Sequence, residues 1–407
     1  MRLSHLVRWP RGAGWAALVG ALILVACQER LAGPADCPNL CPGGYQLRDT
    51  VIDPIPHADS SFLGYLKPGQ GNSLRVSWQF PVSDDRTVVR FIVRPDSWVV
   101  TTDSFLPYTI DSVALSVTVA YRDTTVKNLY VYLYRIPATL DSNYTFADAD
   151  AAFSPSSIID SLKMDDTLVT QTLRAVLSGP DLARVAIAQP DTGILAMGVQ
   201  IRAAQGTGVR LGNTGSAAPL FQSYINVIGL DTTTSHKSIS RGPGFQRFLS
   251  AVTPTLDTTL LTVGGAPSAR SIIRFPWPEY LKDSAQLVRV SLELVPSAPI
   301  PGLRGDTAFI QARPVLADFG SKSPTTSTTT YIATTPVLLN QTDTVRLEVR
   351  PATTLWQGTQ PLPSAFMLQL FPEAASFTTA TFGSSRTPGF APRLRVTYAL
   401  KFPFEAP

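Results

Sequence analysis

Cysteine, histidine and methionine are scarce in this chain of 407 residues, with three, three and four copies. So few cysteines exclude a disulfide-dense scaffold, and so few histidines leave little material for zinc sites or imidazole catalysis. Charge is thin too, at 16% of residues against ~25% in an ordinary soluble protein. No HExxH, P-loop, GxSxG or dinucleotide fingerprint occurs. No Lys/Arg cluster interleaved with aromatic residues stands out, so nucleic acid is not an expected partner. Proline, by contrast, is plentiful at 34 copies, and Thr, Ser and Val recur where helix formers are few. An apolar fraction of 44% without a strong net charge excludes a disordered chain. The expected outcome is an all-β protein of short strands and long turns, long enough for two or three domains with separate cores.

The N-terminus reads as a processing signal. Residues 1–26 combine a basic start with the apolar run GWAALVGALILVA, shorter than the ~20 residues a membrane span needs. The run ends Leu24-Val25-Ala26-Cys27, which resembles the bacterial lipobox. That resemblance implies cleavage before Cys27, acylation of its thiol and amine, and anchoring of the chain to a membrane through lipid. Gln28, where an Asp would retain the protein at the inner membrane, favours the outer membrane and leaves its face open. Subtracting Arg2, Arg8 and Arg11 from the net charge of +4 leaves +1 for the processed chain. Residues 27–45 look like a tether. Within it Cys37 and Cys41 are expected to close a small disulfide loop in an oxidising envelope. Metal binding would need about four ligands, and redox chemistry favours CxxC over this CxxxC spacing; both remain as alternatives.

Residues 46–230 read as a first β-sandwich. Strands are expected at Ser73–Phe80, Thr87–Val93, Ser112–Tyr121, Asn128–Ile136, Ile194–Arg202, Gly208–Leu211 and Gln222–Gly229, each rich in β-branched or aromatic residues. Val113, Leu115, Val117 and Val119 share one face of a half-buried strand. In NLYVYLYRI, period two puts Tyr130, Tyr132 and Tyr134 on one face and Leu129, Val131 and Leu133 on the other. The tyrosines are ligand-binding candidates, as a row of rings for stacking on sugars; the alternative is that they cover the sheet or pack under a loop. His57 lies near Asp53 and Asp59 in an irregular segment more in keeping with a solvated loop than with a metal site. Pro137–Pro155 reads as a long polar loop with Asp141, Asp148 and Asp150, whose DADA run at 148–151 resembles the alternating carboxylates of calcium loops but lacks the EF-hand spacing, the Gly and the closing Glu. No cofactor or metal is expected, with structural calcium left open. Residues 162–177 suit a weak helix or a hairpin turning at Asp165-Asp166.

Residues 231–244, DTTTSHKSISRGPG, read as a linker with His236 exposed, and residues 245–407 as a second sandwich. Its strands are expected at Leu260–Val263, Ser271–Phe275, Leu287–Val295, Asp306–Pro314, Asp343–Val349, Phe366–Phe371 and Arg393–Leu400. Trp277 and Trp356 stand beside prolines or turns and suit the rim of the sandwich, with a sugar platform as the alternative.

The two halves echo each other. Arg90-Phe91 and Arg274-Phe275 each close a strand, and Asp111-Ser112 and Asp283-Ser284 each lead into an alternating one. The pieces VVRF (Val88–Phe91), TIDSVALSVTV (Thr109–Val119), VYLYRI (Val131–Ile136), IIRF (Ile272–Phe275), SAQLVRVSLELV (Ser284–Val295) and PRLRVTY (Pro392–Tyr398) resemble the DNRLRE-type β-sandwich modules of secreted and surface bacterial proteins. The hexapeptide itself is absent, as is the W-x-E that usually follows the "yrV" strand. The resemblance implies two tandem jelly-roll-like sandwiches. Some such modules accompany carbohydrate-active enzymes and bind polysaccharide.

The chain is therefore expected to be a non-catalytic binding or surface-display lipoprotein, with polysaccharide or envelope proteins as partners. The alternative is a structural subunit of an envelope or extracellular assembly. A cryptic glycoside hydrolase or lyase needs only two carboxylates, and Asp96, Asp103, Glu279 and Glu293 lie near strand ends without singling out a pair.

Overall fold

The alternation read over Val113–Val119 is realised in a strand of 15 residues, Tyr108–Arg122, whose Val113, Leu115, Val117 and Val119 side chains are all buried. The structure, a computed structural model, describes residues 47–67, 69–80, 83–139, 141–185, 193–251, 256–357 and 361–400. The signal peptide, Cys27, Cys37 and Cys41 lie outside the described residues. Contacts divide the chain into two units, 1–48 and 49–407, and all but two described residues belong to the second.

The protein is all-β. In chain order its strands begin with β1 (Leu47–Ile52), β2 (Ser60–Leu63), β3 (Ser73–Trp78), β4 (Asp85–Phe91), β5 (Trp98–Thr101) and β6 (Ser104–Leu106). Next come β7 (Tyr108–Arg122), β8 (Tyr130–Ile136), β9 (Ile158–Lys163), β10 (Gln171–Ser178), β11 (Ala196–Arg202), β12 (Thr207–Gly212) and β13 (Leu220–Val227). β14 (His236–Arg241), β15 (Pro243–Ser250), β16 (Leu260–Gly264), β17 (Ala269–Arg274), β18 (Ala285–Leu294) and β19 (Ala308–Pro314) follow. The last are β20 (Ala333–Val337), β21 (Val345–Glu348), β22 (Ala365–Phe371), β23 (Thr379–Gly383) and β24 (Arg393–Leu400).

Four antiparallel sheets make two sandwiches. In the first, a sheet ordered β14–β13–β7–β12–β3, with β10 also on β7, faces one ordered β15–β4–β11–β8–β9. Leu74, Val89, Leu115, Leu133, Val199 and Leu211 fill the space between them. In the second, β1–β24–β18–β21 faces β20–β19–β22–β17–β16–β23, with β2 also on β17, around Ile273, Phe275, Leu292, Leu368 and Val396. The repeated apolar-Arg-Phe ending has a simple basis in strand alternation. Phe91 and Phe275 point into the two cores, while Arg90 stacks on Phe245 and Arg274 pairs with Asp318 (Nη2–Oδ1 2.7 Å).

The strand order repeats as well. β4–β11–β8–β9 corresponds to β17–β22–β19–β20, and β13–β7–β10 to β24–β18–β21. Each sandwich then gains two flanking strands, from different places in the chain. The first takes β14 beside β13 and β15 beside β4; the second takes β1 beside β24 and β2 beside β17. This moves both domain boundaries expected from sequence. Residues 49–63 start the chain in the second sandwich, and the stretch expected to be a linker at 231–244 supplies β14 and the start of β15 to the first. Its polar composition suits an edge strand with one face in water, where only Ile239 is buried. Residues 162–177 form neither helix nor hairpin, for β9 joins β8 and β10 joins β7 in the opposite sheet.

The sandwiches meet across a buried, charged seam. Arg75 on β3 pairs with Asp85 at 2.8 Å, both fully or nearly buried, and lies between the rings of Phe248 and Phe377. Its Nη1 donates to the carbonyl of Ser376 (3.0 Å). Arg210 on β12 reaches Asp306 of the second sandwich at 3.1 Å, and the Tyr121 hydroxyl donates to the Arg304 carbonyl (2.8 Å).

Candidate functional site

The alternation of β8 divides its side chains as expected. Leu129, Val131 and Leu133 enter the first core, and the three tyrosines take the outer face, with neighbouring ring centroids 6.5 Å apart. They do not share one environment. Residues 146–152, expected to be part of a polar loop, form a short helix that packs on this face. Thr145 and Asp148 close a capping box at its start, with the Asp148 carboxylate accepting from the Thr145 hydroxyl (2.7 Å) and amide (2.8 Å). Asp150 pairs with Arg86 at 2.8 Å, and the Arg86 guanidinium lies over Phe146 and Phe153. The alternating carboxylates of this run thus serve a cap and an ion pair.

The helix decides the fate of the tyrosines. Phe153 covers Tyr134 at 4.8 Å and leaves it 2% exposed, with its hydroxyl 3.1 Å from Gln200 Oε1. Burial pushes the Tyr134 hydroxyl pKa up. Gly198, opposite Tyr134 in the ladder, has no side chain because the Phe153 ring occupies the place where a Cβ would sit. Tyr134 is therefore unavailable as a sugar platform. Tyr130 and Tyr132 remain half-exposed. In register with Tyr130 lie Lys163 and Arg202, both exposed, and in register with Tyr132 lie Ser161 and Gln200. Arg202 also stands over the Tyr132 ring at 5.5 Å. The result is an outer sheet face with two rings, two cations and an amide.

A second concavity lies at the seam. It encloses about 680 Å³ and is walled by the chain crossing at Gly64–Gln70, by Ser142–Phe146, by β15 and by Ala266-Pro267. Gly69 permits the close approach of two backbones, since a Cβ there would fall 2.6 Å from the Gln246 carbonyl. Among the described residues no carboxylate lines it. Arg247 Nη1 donates to the Ser142 carbonyl (2.6 Å), while its Nε and Gln246 Oε1 are buried without partners among the described residues.

The other sequence candidates are structural. Trp277 and Trp356 form a T-shaped pair at 5.1 Å inside the second core rather than at its rim, 7% and 1% exposed. Asp59 is buried, accepts from Ser385 N (2.6 Å) and Ser385 Oγ (2.8 Å), and pairs with Arg386 (3.0 Å), which ties the His57 segment to the second sandwich. His236 is exposed, 3.6 Å from Asp111. Among the carboxylates considered for hydrolysis, Glu279 meets Lys282 (2.7 Å) and Glu293 meets Arg346 (3.2 Å), both in the second sandwich, while Asp96 and Asp103 belong to the first. Among the described residues no group of His, Cys, Asp and Glu is placed to hold a metal ion, and no helix is long and apolar enough to cross a membrane.

No protein-family model matches the chain, and no curated protein does. Among solved structures, the C-terminal domain of the Streptococcus pyogenes antigen I/II-family protein AspA aligns over 88% of this chain and 92% of its own, at 9% identity and a TM-score of 0.15. A chain named BspA_C_WT aligns over 72% and 76%, at 8% identity and a TM-score of 0.14.

Proposed function

We propose that this protein is a lipid-anchored envelope protein that binds polysaccharide without cleaving it. The observation that carries the reading is the outer face of β8, where Tyr130 and Tyr132 lie half-exposed beside Gln200, Arg202 and Lys163. Sugar rings stack on such faces, and the flanking amide and cations supply hydrogen bonds to hydroxyls. The lipobox at Cys27 supports the anchor, and the repeated strand order supports kinship with DNRLRE-type modules. Binding of residues 42–407 to a panel of neutral and acidic polysaccharides tests the reading. Saturable binding is expected, with the double variant Tyr130→Ala/Tyr132→Ala weakened roughly fivefold or more, at about 0.5–1.5 kcal/mol per ring. Tyr134→Phe keeps affinity because that ring rests under Phe153. Failure of every polysaccharide to bind defeats the proposal. Lipid labelling of the full chain checks the anchor and should vanish in Cys27→Ser.

A structural role in an envelope assembly has its own support in the β5–β6 hairpin. Val99 and Phe105 face each other across it and are 55% and 59% exposed, while Trp98 and Leu106 pack inward against Ile225 and Val227. A stable oligomer seen by light scattering, lost in Val99→Ser/Phe105→Ser, would favour that role.

A further inference from the structure

We propose that the groove at the seam is a second ligand site, separate from the tyrosine face, and that it takes the anionic end of an acidic oligosaccharide. Its volume of about 680 Å³ lies in the range of small-ligand pockets. Both sandwiches build it, so its walls are held by the buried contacts of the seam rather than by a single loop.

Charge selects the ligand. Arg75, Arg86, Arg210 and Arg270, the arginines packed around the seam and the adjoining helix, each face a carboxylate. Arg247 does not. Among the described residues its one bond to a protein group is to the Ser142 carbonyl, and Lys67, on the Gly64–Gln70 wall, has no acidic partner. A part-buried cation with no counter-ion is costly, and an entering anion removes the cost. Burial also lowers the Arg247 pKa, as expected for a cation whose charge is left uncompensated.

The remaining lining suits a sugar. Phe245, Tyr144 and Phe146 offer apolar faces, and the exposed Asn143 offers an amide. An acidic peptide would satisfy the cations but makes no special use of the aromatic walls.

The test is calorimetric binding of digalacturonate, dimannuronate and a sulfated disaccharide to residues 42–407, each beside its neutral counterpart, together with a tetraglutamate peptide. At least one acidic sugar should bind about tenfold tighter than its neutral form, the equivalent of about 1.4 kcal/mol and close to the lower end for one charge-assisted hydrogen bond. The sulfated and uronate arms separate the two sources of negative charge. Arg247→Gln should erase the preference and Lys67→Gln reduce it. Lys67 is exposed, so its variant carries the test if Arg247→Gln loosens the Ser142 loop. The same titrations in a Tyr130→Ala/Tyr132→Ala background, where the tyrosine face is silenced, should keep the preference for the acidic form, so failure here and failure of the tyrosine face are distinguishable. Equal binding of acidic and neutral forms, indifference to both cation variants, tighter binding of the peptide, or no binding of any acidic sugar overturns the proposal.

Discussion

Aspartates carry much of this fold's turn chemistry. Asp123, Asp165, Asp231 and Asp257 each stand two residues before a threonine, and each Oδ1 accepts both the amide and the hydroxyl of that threonine. The hydrogen bonds hold the carboxyls of Asp165, Asp231 and Asp257 below their usual range. Such groups stabilise the fold above the ordinary carboxylate pKa and lose that contribution as pH falls through the lowered value. Asp306 behaves in the opposite way. Burial pushes its carboxyl up, and the opposing attraction of Arg210 at 3.1 Å does not cancel the effect. Its contribution is therefore fullest below the ordinary carboxylate pKa and is lost as pH rises through the raised value. Melting temperatures of the native chain and Asp306→Asn, compared from about pH 4 to about pH 8, should diverge in one direction, with the asparagine variant gaining relative to the native chain as pH rises. A gap constant with pH would show that Asp306 is not held high.

The helix at 146–152 governs what the first sandwich displays. Thr145→Ala removes its cap and should cost about 1 kcal/mol. Amide exchange over residues 146–153 should quicken while the strands of both cores keep their protection; uniform quickening would mean that the helix is part of the global fold. Phe153→Ala should uncover Tyr134. The helix was hidden in the sequence because it is only seven residues long and buries a single one, Ala149. Its stability comes from Phe146 and Phe153 closing on Arg86, a residue 60 positions before the first of them. Long alternating strands were plain, above all Tyr108–Arg122 and Arg393–Leu400, because period two places a whole apolar set on one side. The tyrosine face of β8 was plain for the same reason, but the loss of Tyr134 to the helix was not. Edge strands such as β14 read as linker because water takes one of their faces. The groove could not be read at all, since its walls come from four separate stretches of chain.

The first sandwich is inserted in the second, which is built from two separate stretches of chain. The chain lays β1 and β2 into the second sandwich, crosses to build the first, adds β14 and β15 to it, and only then returns. The seam reinforces this coupling, because Arg75 and Asp85 are buried together and either one alone is an unpaired charge. Arg75→Ala should therefore cost about 3–5 kcal/mol and lower the melting temperature of the whole molecule. Division of the chain gives the sharper expectation. A cut at Gly242, in the stretch that resembles a linker, leaves the first sandwich without β15 and the second without β1 and β2. β15 carries Phe248 and Leu249 into the buried interior, each worth about 1.5–3 kcal/mol of apolar burial. It also covers the free edge of β4, which would otherwise present unpaired backbone groups. Residues 70–251 retain β3 through β15 and should unfold cooperatively, whereas residues 42–242 should aggregate or melt without a sharp transition. If 42–242 instead unfolds sharply and 70–251 does not, then β15 is dispensable and the boundary at 231–244 is a true linker after all.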